Sequence, residues 1–472
     1  MITLTLAEIA AATGGTLHDA PDPLMRVTGR SASDSRDVGP GGMFVAVAGA
    51  RVDGHDFVDT AMAAGATCVL ATRPVGVPAV VVSDVTVALG RIAQHVLTRT
   101  GAQIVALTGS AGKTTAKDLL AQVLARHGET VATPGSFNTE IGLPLTVMRA
   151  GESTCYLVLE MGARHQGDIA YLATLTPPSI GIVLNVGSAH VGEFGSREAI
   201  ATAKSELVQA LPASADGGVA ILNADDDLVA AMAQRTSARV VSYGTADTAD
   251  VRATDIRLTA GRASFVLHTP QGSAPVSLRL LGVHQVHNAL AVAAASHVLG
   301  MDTAQICDAL SAAEPVSPAR LEVLERADGV TIVNDAFNAN SESMRAGLET
   351  LASLAQGRRM IAVLGTMREL GDTATTAHQA VGRLVGDLGI EVLVTVGTTG
   401  EVAALAEAAR AHSHAPHIES AADPDVLLPL LNGLLKSGDV VLIKASRSVG
   451  LEKFADIVHA EVAADVMNQP AD

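Results

Sequence analysis

The chain is poor in lysine. Among 472 residues there are six: Lys113, Lys117, Lys204, Lys436, Lys444 and Lys453. A surface that used lysine for solubility would scatter many more, so a lysine inside a motif carries extra functional weight here. Positive charge is short in general, because 32 Lys and Arg face 49 Asp and Glu for a formal net charge of −17. Nucleic acid and anionic membrane each require a broad basic face, and this balance argues against both as partners. An anionic small molecule stays open, provided cations are gathered locally. Cysteine is scarce too. Cys68, Cys155 and Cys307 are odd in number, widely spaced and set in apolar runs. That pattern excludes a disulfide frame or a zinc site and predicts core thiols in a reducing compartment. No uncharged apolar run reaches membrane-spanning length, and the opening residues Met1 to Glu8 lack the cationic-then-apolar pattern of an export signal. The expectation is a soluble, cytoplasmic protein.

What is present is ample apolar material and one strong motif. With 48% apolar residues, a chain of this length supports about three domains, each with its own core. Residues 104–115 read Ile-Val-Ala-Leu-Thr-Gly-Ser-Ala-Gly-Lys-Thr-Thr. An apolar strand runs into a glycine-bounded turn, and Leu119, Leu120, Val123 and Leu124 then recur at helical spacing. Strand, tight loop, Lys-Thr and helix together aim backbone N–H groups and a helix N-terminus at a triphosphate. Gly109, Ser110, Ala111, Gly112, Lys113, Thr114 and Thr115 are the candidate nucleotide-binding residues. Lys113 would neutralise the β/γ oxygens, and the Thr114 hydroxyl would hold Mg²⁺. Leu107 stands where the longer form of this motif has its first glycine.

Three units are predicted: residues 1–98, 99–312 and 313–472. In the first, Met43–Ala48, Thr67–Ala71 and Ala79–Val82 read as strands, and His55–Ala64 and Val85–Leu97 as helices. In the second, Tyr156–Leu159, Ile180–Leu184 and Val219–Leu222 read as strands, with a helix over Gln285–Leu299. The third opens at the prolines of Glu314 to Pro318, which suit a linker. Its strands are Val330–Val333, Met360–Leu364, Val392–Val396 and Val440–Ile443. Apolar β-branched strands alternating with helices predict α/β domains whose parallel sheets are covered on both faces.

Polar residues of interest fall just past strand ends, where open α/β sheets bind ligands. Glu160 closes the strand at Tyr156 and would hold Mg²⁺ opposite Thr114. His190 lies in a glycine-rich loop that begins at Asn185. Lys204 sits on a helix over Ser196–Leu211 with Ser196 as cap; its pattern is that of a solvated helix lysine, and only the scarcity of lysine raises its standing. Asn288 opens an apolar helix, where it could read a base edge or simply cap. Arg320 follows the proline linker and could reach phosphates or form a surface ion pair. Asp335 stands in a dense polar turn with Asn334, Asn338 and Asn340. Ser35 and Arg36, beside Pro40-Gly-Gly42, make a possible diphosphate seat or an ordinary capped turn.

Taken in order, these strings resemble the Mur ligases, the ATP-dependent amide-bond-forming enzymes of peptidoglycan precursor synthesis. They are Asp34-Ser-Arg36, Thr108 to Thr115, Ser136-Phe-Asn138-Thr-Glu-Ile-Gly142, Glu160-Met-Gly162, His190 to Gly195, Asn334 to Asn340, Leu364 to Gly371 and Leu442 to Arg447. The resemblance spans nearly the whole chain. It implies an N-terminal UDP-sugar domain, a central ATPase domain and a Rossmann-like C-terminal domain, working as a monomer. It implies Mg²⁺ bound through Thr114, Glu160 and His190, and Lys204 carried as a carbamate that helps bind a second Mg²⁺. Asn288, Arg320 and Asp335 match positions that hold adenine, phosphate and ribose. Asn138 and Thr139 match the loop facing the muramoyl end of the UDP substrate, and Ser35 and Arg36 the uridine-diphosphate end. The implied reaction joins D-alanyl-D-alanine to UDP-N-acetylmuramoyl-tripeptide through an acyl phosphate, with Lys113, Glu160, His190 and Lys204 in catalytic roles. The alternatives are the relative that adds the third, diamino-acid residue, a folylpolyglutamate-type ligase, and a nucleotide-gated switch without ligase activity. Thr139, Asn334, Thr366 and Gly42 depart from the usual family residues.

Overall fold

A computed structural model describes residues 1–49, 52–189 and 191–467. Three sheets organise the chain, with a short two-stranded ribbon at the N-terminus (Leu4–Thr5 with Arg26–Val27). The first sheet has Thr16–His18 antiparallel to Ala79–Val81, followed by the parallel strands Cys68–Ala71 and Met43–Val45. The central sheet has nine strands and the C-terminal sheet six. No helix among the described residues is long and apolar enough to cross a membrane.

The middle of the central sheet is parallel and buried. Gln103–Thr108 lies between Tyr156–Glu160 and Ile180–Val183, and Val219–Asn223 and Arg239–Gly244 continue it. These strands are apolar on both faces because helices cover both. One face carries Lys113–Leu124, Gln285–Val298 and Thr303–Ala312; the other carries Asp168–Leu175 and Arg197–Gln209. Gln285–Val298 is buried almost all round, so its run of alanines serves close packing as well as helix propensity. The N-terminal unit has a small core of its own around Phe44, Val58 and Val69, and its other side packs on the central unit. Its helix Val85–Leu97 and strand residues share one cluster with Leu145, Val147, Leu157 and Leu159 of the central unit.

The strands read from sequence are present to within three residues at either end. The sheets are mostly parallel, with antiparallel additions: Val251–Thr259, Arg262–Thr269 and Gly272–Leu281 extend the central sheet as an antiparallel ribbon, and Glu322–Glu325 is antiparallel to Thr331–Asn334. That ribbon alternates apolar and polar residues, because one face packs on the core and the other meets solvent. Two expectations need correction. The segment His55–Ala64 splits into a 3₁₀ turn, Gly54–Phe57, and a short helix, Val58–Ala63; the His55 ring bonds to Asp53 at 2.6 Å and pins the tighter turn. Finally, Cys155 is exposed, whereas Cys68 and Cys307 are buried thiols. Cys155 precedes its strand, at a point where the chain has not yet entered the sheet.

The C-terminal sheet is parallel from Thr331–Asn334 through Val440–Lys444, Met360–Gly365 and Val392–Val396 to His417–Ala421. Residues 313–321, between Thr303–Ala312 and Glu322–Glu325, carry no regular structure. The carboxyl ends of the central and C-terminal strands face one another across this segment.

Candidate active site

The strand Gln103–Thr108 ends in the loop 109–112, which feeds helix Lys113–Leu124. Gly112 has φ of 79°, and a Cβ there would stand 2.7 Å from Asn288 Oδ1. Only glycine meets both conditions. Asn185 clamps the loop from the neighbouring strand end. Its Oδ1 accepts from the N–H groups of Ser110 and Ala111 at 3.0 and 2.9 Å, and its Nδ2 donates to the Ala111 carbonyl at 3.1 Å. Lys113 folds over the turn and donates to the Gly109 carbonyl at 2.7 Å. The Ser110 hydroxyl is buried and has no hydrogen-bond partner among the described residues. A buried hydroxyl left unsatisfied in a phosphate loop fits an incoming phosphate oxygen.

Beside the loop is an oxygen-rich corner. Thr114 donates to Glu160 Oε2 at 2.8 Å and lies 3.2 Å from the Ser136 hydroxyl. Asn138 Nδ2 donates to the other Glu160 oxygen at 2.7 Å. Glu160 is 1% exposed. A hydroxyl and a carboxylate of this kind suit a hard divalent cation. No group of three His, Cys, Asp or Glu side chains gathers for a metal among the described residues. His190 lies outside the described residues.

Lys204, on helix Arg197–Gln209, is 5% exposed and lines the same space. The solvated reading of its local pattern is overturned: its ammonium has no hydrogen bond or counter-ion among the described residues. Burial, reinforced by Lys113, pulls its pKa well below the ordinary lysine value. Burial also lowers Lys113, with Glu160 opposing and Arg320 adding to the shift. Basic side chains without an ion-pair partner among the described residues thus gather in the cleft of a chain that is acidic overall, which suits the cleft to an anion.

The C-terminal unit supplies the facing wall. Arg320 donates to Ser136 at 2.9 Å and stacks on Phe337, 4.1 Å from the ring centroid. Asp335 pairs with buried Lys444 at 2.6 Å and accepts from the Leu321 N–H at 3.2 Å. Glu342 takes the N–H and hydroxyl of Ser188 at 2.7 and 3.0 Å. The Gly192 N–H donates to the Glu369 carbonyl at 3.0 Å. The two units therefore meet in a closed arrangement around a cavity of about 1030 Å³.

Of the residues singled out from sequence, Ser110 to Thr115, Asn138, Thr139, Glu160, Lys204, Asn288, Arg320 and Asp335 line that cavity. Gly109 sits behind it as the acceptor for Lys113. Ser35 and Arg36 do not line it; Ser35 is buried, and Arg36 is 83% exposed and forks onto Asp34. Asn185, which heads the polar stretch 185–190 marked from sequence, also lines the cavity, as do Arg197 and Glu342, which sequence patterns did not single out.

Residues 32–98 match the Mur ligase family catalytic domain, 107–296 the Mur ligase middle domain, and 319–447 the Mur ligase glutamate ligase domain. The protein is 47% identical to the UDP-N-acetylmuramoyl-tripeptide–D-alanyl-D-alanine ligase of Mycobacterium bovis, over 98% of each chain. It belongs to the Mur ligase family. To the Escherichia coli ligase of the same description this Mur ligase is 36% identical, over 96% of its own length and 98% of the other. A crystal structure of MurF from Acinetobacter baumannii superposes with a TM-score of 0.84 at 33% identity, covering 99% of this chain and 100% of that one. The MurF ligase of Thermotoga maritima in complex with ADP gives 0.78 at 30% identity, over 93% and 99% of the two chains. The phosphate loop of this Mur ligase, with its orphaned Ser110 hydroxyl and unpaired cations, is thus the physical counterpart of a nucleotide-binding family fold.

Proposed function

We propose that the protein is an ATP-dependent ligase that joins D-alanyl-D-alanine to UDP-N-acetylmuramoyl-tripeptide in peptidoglycan precursor synthesis. The observation that carries this reading is the 47% identity along 98% of a ligase of that description. The cation-rich cleft between the central and C-terminal units supports it.

The substrate's peptide carboxylate attacks the γ-phosphorus of ATP, and the bond to the β-phosphate oxygen breaks to leave ADP and an acyl phosphate. The amine of the dipeptide then attacks the acyl carbon, loses a proton, and inorganic phosphate departs from the tetrahedral intermediate. Lys113 offsets charge on the transferring group, and the N–H groups that open helix Lys113–Leu124 hold the β-phosphate. Arg320 and Asp335 come from the third unit, so closure both completes the nucleotide site and shields the acyl phosphate from water. Asn288 faces the adenine. Asp335 keeps free lone pairs for ribose hydroxyls even with Lys444 engaged. Asn138 and Thr139 face the muramoyl end, and Ser35 and Arg36 the uridine-diphosphate end, of a substrate spanning from residues 1–98 into the central unit.

Thr114 and Glu160, with His190, would hold Mg²⁺, and a carbamate on Lys204 would contribute to a second ion; bound there, the ions supply positive charge against the phosphate oxygens. The buried, unpaired Lys204 amine fits this. Burial favours the uncharged amine, the form that attacks CO₂ and loses a proton to give a carbamate anion, and so supplies an oxygen ligand. An acceptor screen tests the assignment: UDP-muramoyl peptides of two or three residues, each offered D-alanyl-D-alanine or a diamino acid, with ADP release as readout. ADP should form only with the tripeptide and the dipeptide together. Equal turnover with the shorter precursor and a diamino acid would overturn the reading.

A further inference from the structure

One of the six lysines is buried and yet does not face the cleft. Lys117 lies one helical turn past Lys113 and is 2% exposed. Its ammonium has three donors, and the structure gives each a partner. It donates to the Thr133 carbonyl at 2.6 Å, to the Gly135 carbonyl at 3.1 Å, and pairs with Asp118 Oδ1 at 2.6 Å. Both carbonyls belong to the segment that leads into Ser136 and Asn138. Thr133 is itself tied to the strand bearing Glu160, because its hydroxyl accepts from the Glu160 N–H at 3.1 Å.

The other partner leads to the linker. Asp118 Oδ2 accepts from the Ser317 hydroxyl at 2.5 Å. Gln122, one turn further along the helix, holds Glu314 by both its N–H and its carbonyl, at 3.0 and 2.9 Å. Three residues beyond Ser317, Arg320 returns to Ser136. The backbone on either side of Arg320 is left-handed at non-glycine residues, with φ of 54° at both Ala319 and Leu321. Such conformations persist only where surrounding contacts over-determine them. Lys117, the 133–136 segment, Arg320, Ser317 and Asp118 thus form a closed circuit from the phosphate-loop helix through the substrate-facing loop to the interdomain linker.

We propose that Lys117 is a positioning residue that couples the nucleotide helix to the loop seating the UDP substrate, and through Asp118 and Ser317 to the linker that brings Arg320 into place. This rests on the ligase reading above. A buried ammonium with three fixed acceptors has one allowed geometry, so the helix and the 133–136 segment move as a unit. The Asp118–Ser317 contact, by contrast, ties that unit to the segment between the central and C-terminal units.

The test compares wild type, Lys117→Met, Lys117→Arg and Ser317→Ala by calorimetric binding of a non-hydrolysable ATP analogue and of UDP-muramoyl-tripeptide, and by steady-state kinetics. Lys117→Met keeps the length and removes the donors. It should raise the KM and Kd for the UDP substrate at least tenfold while the affinity for the ATP analogue changes less than threefold. Lys117→Arg should recover part of that loss. Ser317→Ala, a mild change on a partly exposed linker residue, should lower kcat several-fold and leave the KM for the UDP substrate unchanged. If wild type itself fails to bind the UDP substrate, the ligase reading fails and this coupling with it. If wild type binds it and Lys117→Met binds both ligands equally well, or loses both equally, Lys117 is only a core brace. Should Lys117→Met not fold, a Ser317→Ala enzyme with unaltered kcat would alone overturn the linkage to the hinge.

Discussion

Two arginine- or lysine-bearing turns of this chain look alike on paper and differ in the structure. In the N-terminal turn, Asp34 accepts from the Arg36 backbone and from both forks of its guanidinium at 2.6–3.0 Å. The charge is neutralised within three residues and lies in solvent. Hydrogen bonds from Arg36 hold the Asp34 carboxyl down at about 2. In the central loop, Lys113 and Lys204 are desolvated and lack a counter-ion among the described residues, and Arg320 is lowered chiefly by burial. The difference is that a satisfied surface pair has little left to give a ligand, whereas buried unpaired cations are stabilised only when an anion arrives.

The sharpest way to break this contrast is Lys113→Ala. A preorganised charge in a dry site acts on the transition state more than on the ground state, so kcat should fall by at least about a hundredfold. Near-normal turnover would mean the loop is only a turn. Lys204→Ala should come next, with a loss on the order of tenfold to a hundredfold and an unchanged fold by circular dichroism. Acetate or formate should restore part of the rate by supplying an oxygen in the vacated space, and chloride at matched ionic strength should not. Rescue by chloride as well would remove the carbamate reading.

Acid should separate the two regions on one axis. Burial, with Lys444 and His287 adding repulsion, lowers His284 in the central cleft from 6.5 to about 4. A histidine kept neutral in the fold binds its proton more readily when unfolded. Its contribution is complete above about pH 6.5 and is lost as pH falls through 4. Asp34 behaves otherwise: its contribution is present above its unfolded value of 3.8 and is lost only as pH falls through about 2. Urea midpoints should therefore decline in a first stage between pH 6.5 and 4, and show only a slight second stage below pH 3.8, because the Asp34–Arg36 pair is exposed. His284→Asn should flatten the first stage alone. A single transition insensitive to that variant would contradict the separation.

The smallest effect belongs to Arg36→Ala. Because the Asp34–Arg36 pair is exposed, thermal midpoints should not move measurably. The KM for the UDP substrate should rise a few-fold, with kcat unchanged. A large loss of kcat would show that this turn works as an interior site and would erase the contrast.

Much of this was legible along the chain. The loop 109–115, the strands flanking it, the cap at Ser196 and the prolines of the linker are local patterns, set by neighbours a few residues apart. Lysine scarcity was informative as well: Lys117, Lys204 and Lys444 are buried, Lys113 is half-buried, and only Lys436 and Lys453 are exposed. The antiparallel ribbon over Val251–Leu281 was not read, because its alternation depends on which face the core occupies. Cys155 misled because the apolar residues near it belong to a strand that begins just after it.

The order of elements, the phosphate loop and the candidate cations follow from the sequence alone, since backbone sterics, helix periodicity and the placement of glycine act over short stretches. What the tertiary structure decided is which of those groups meet. Arg320 reaches Ser136 across 184 residues and Glu342 reaches Ser188 across 154. Whether a lysine is solvated or buried without a partner, as with Lys204, depends on surfaces brought together from distant parts of the chain. Desolvation is a property of the packed volume, and no local pattern carries it.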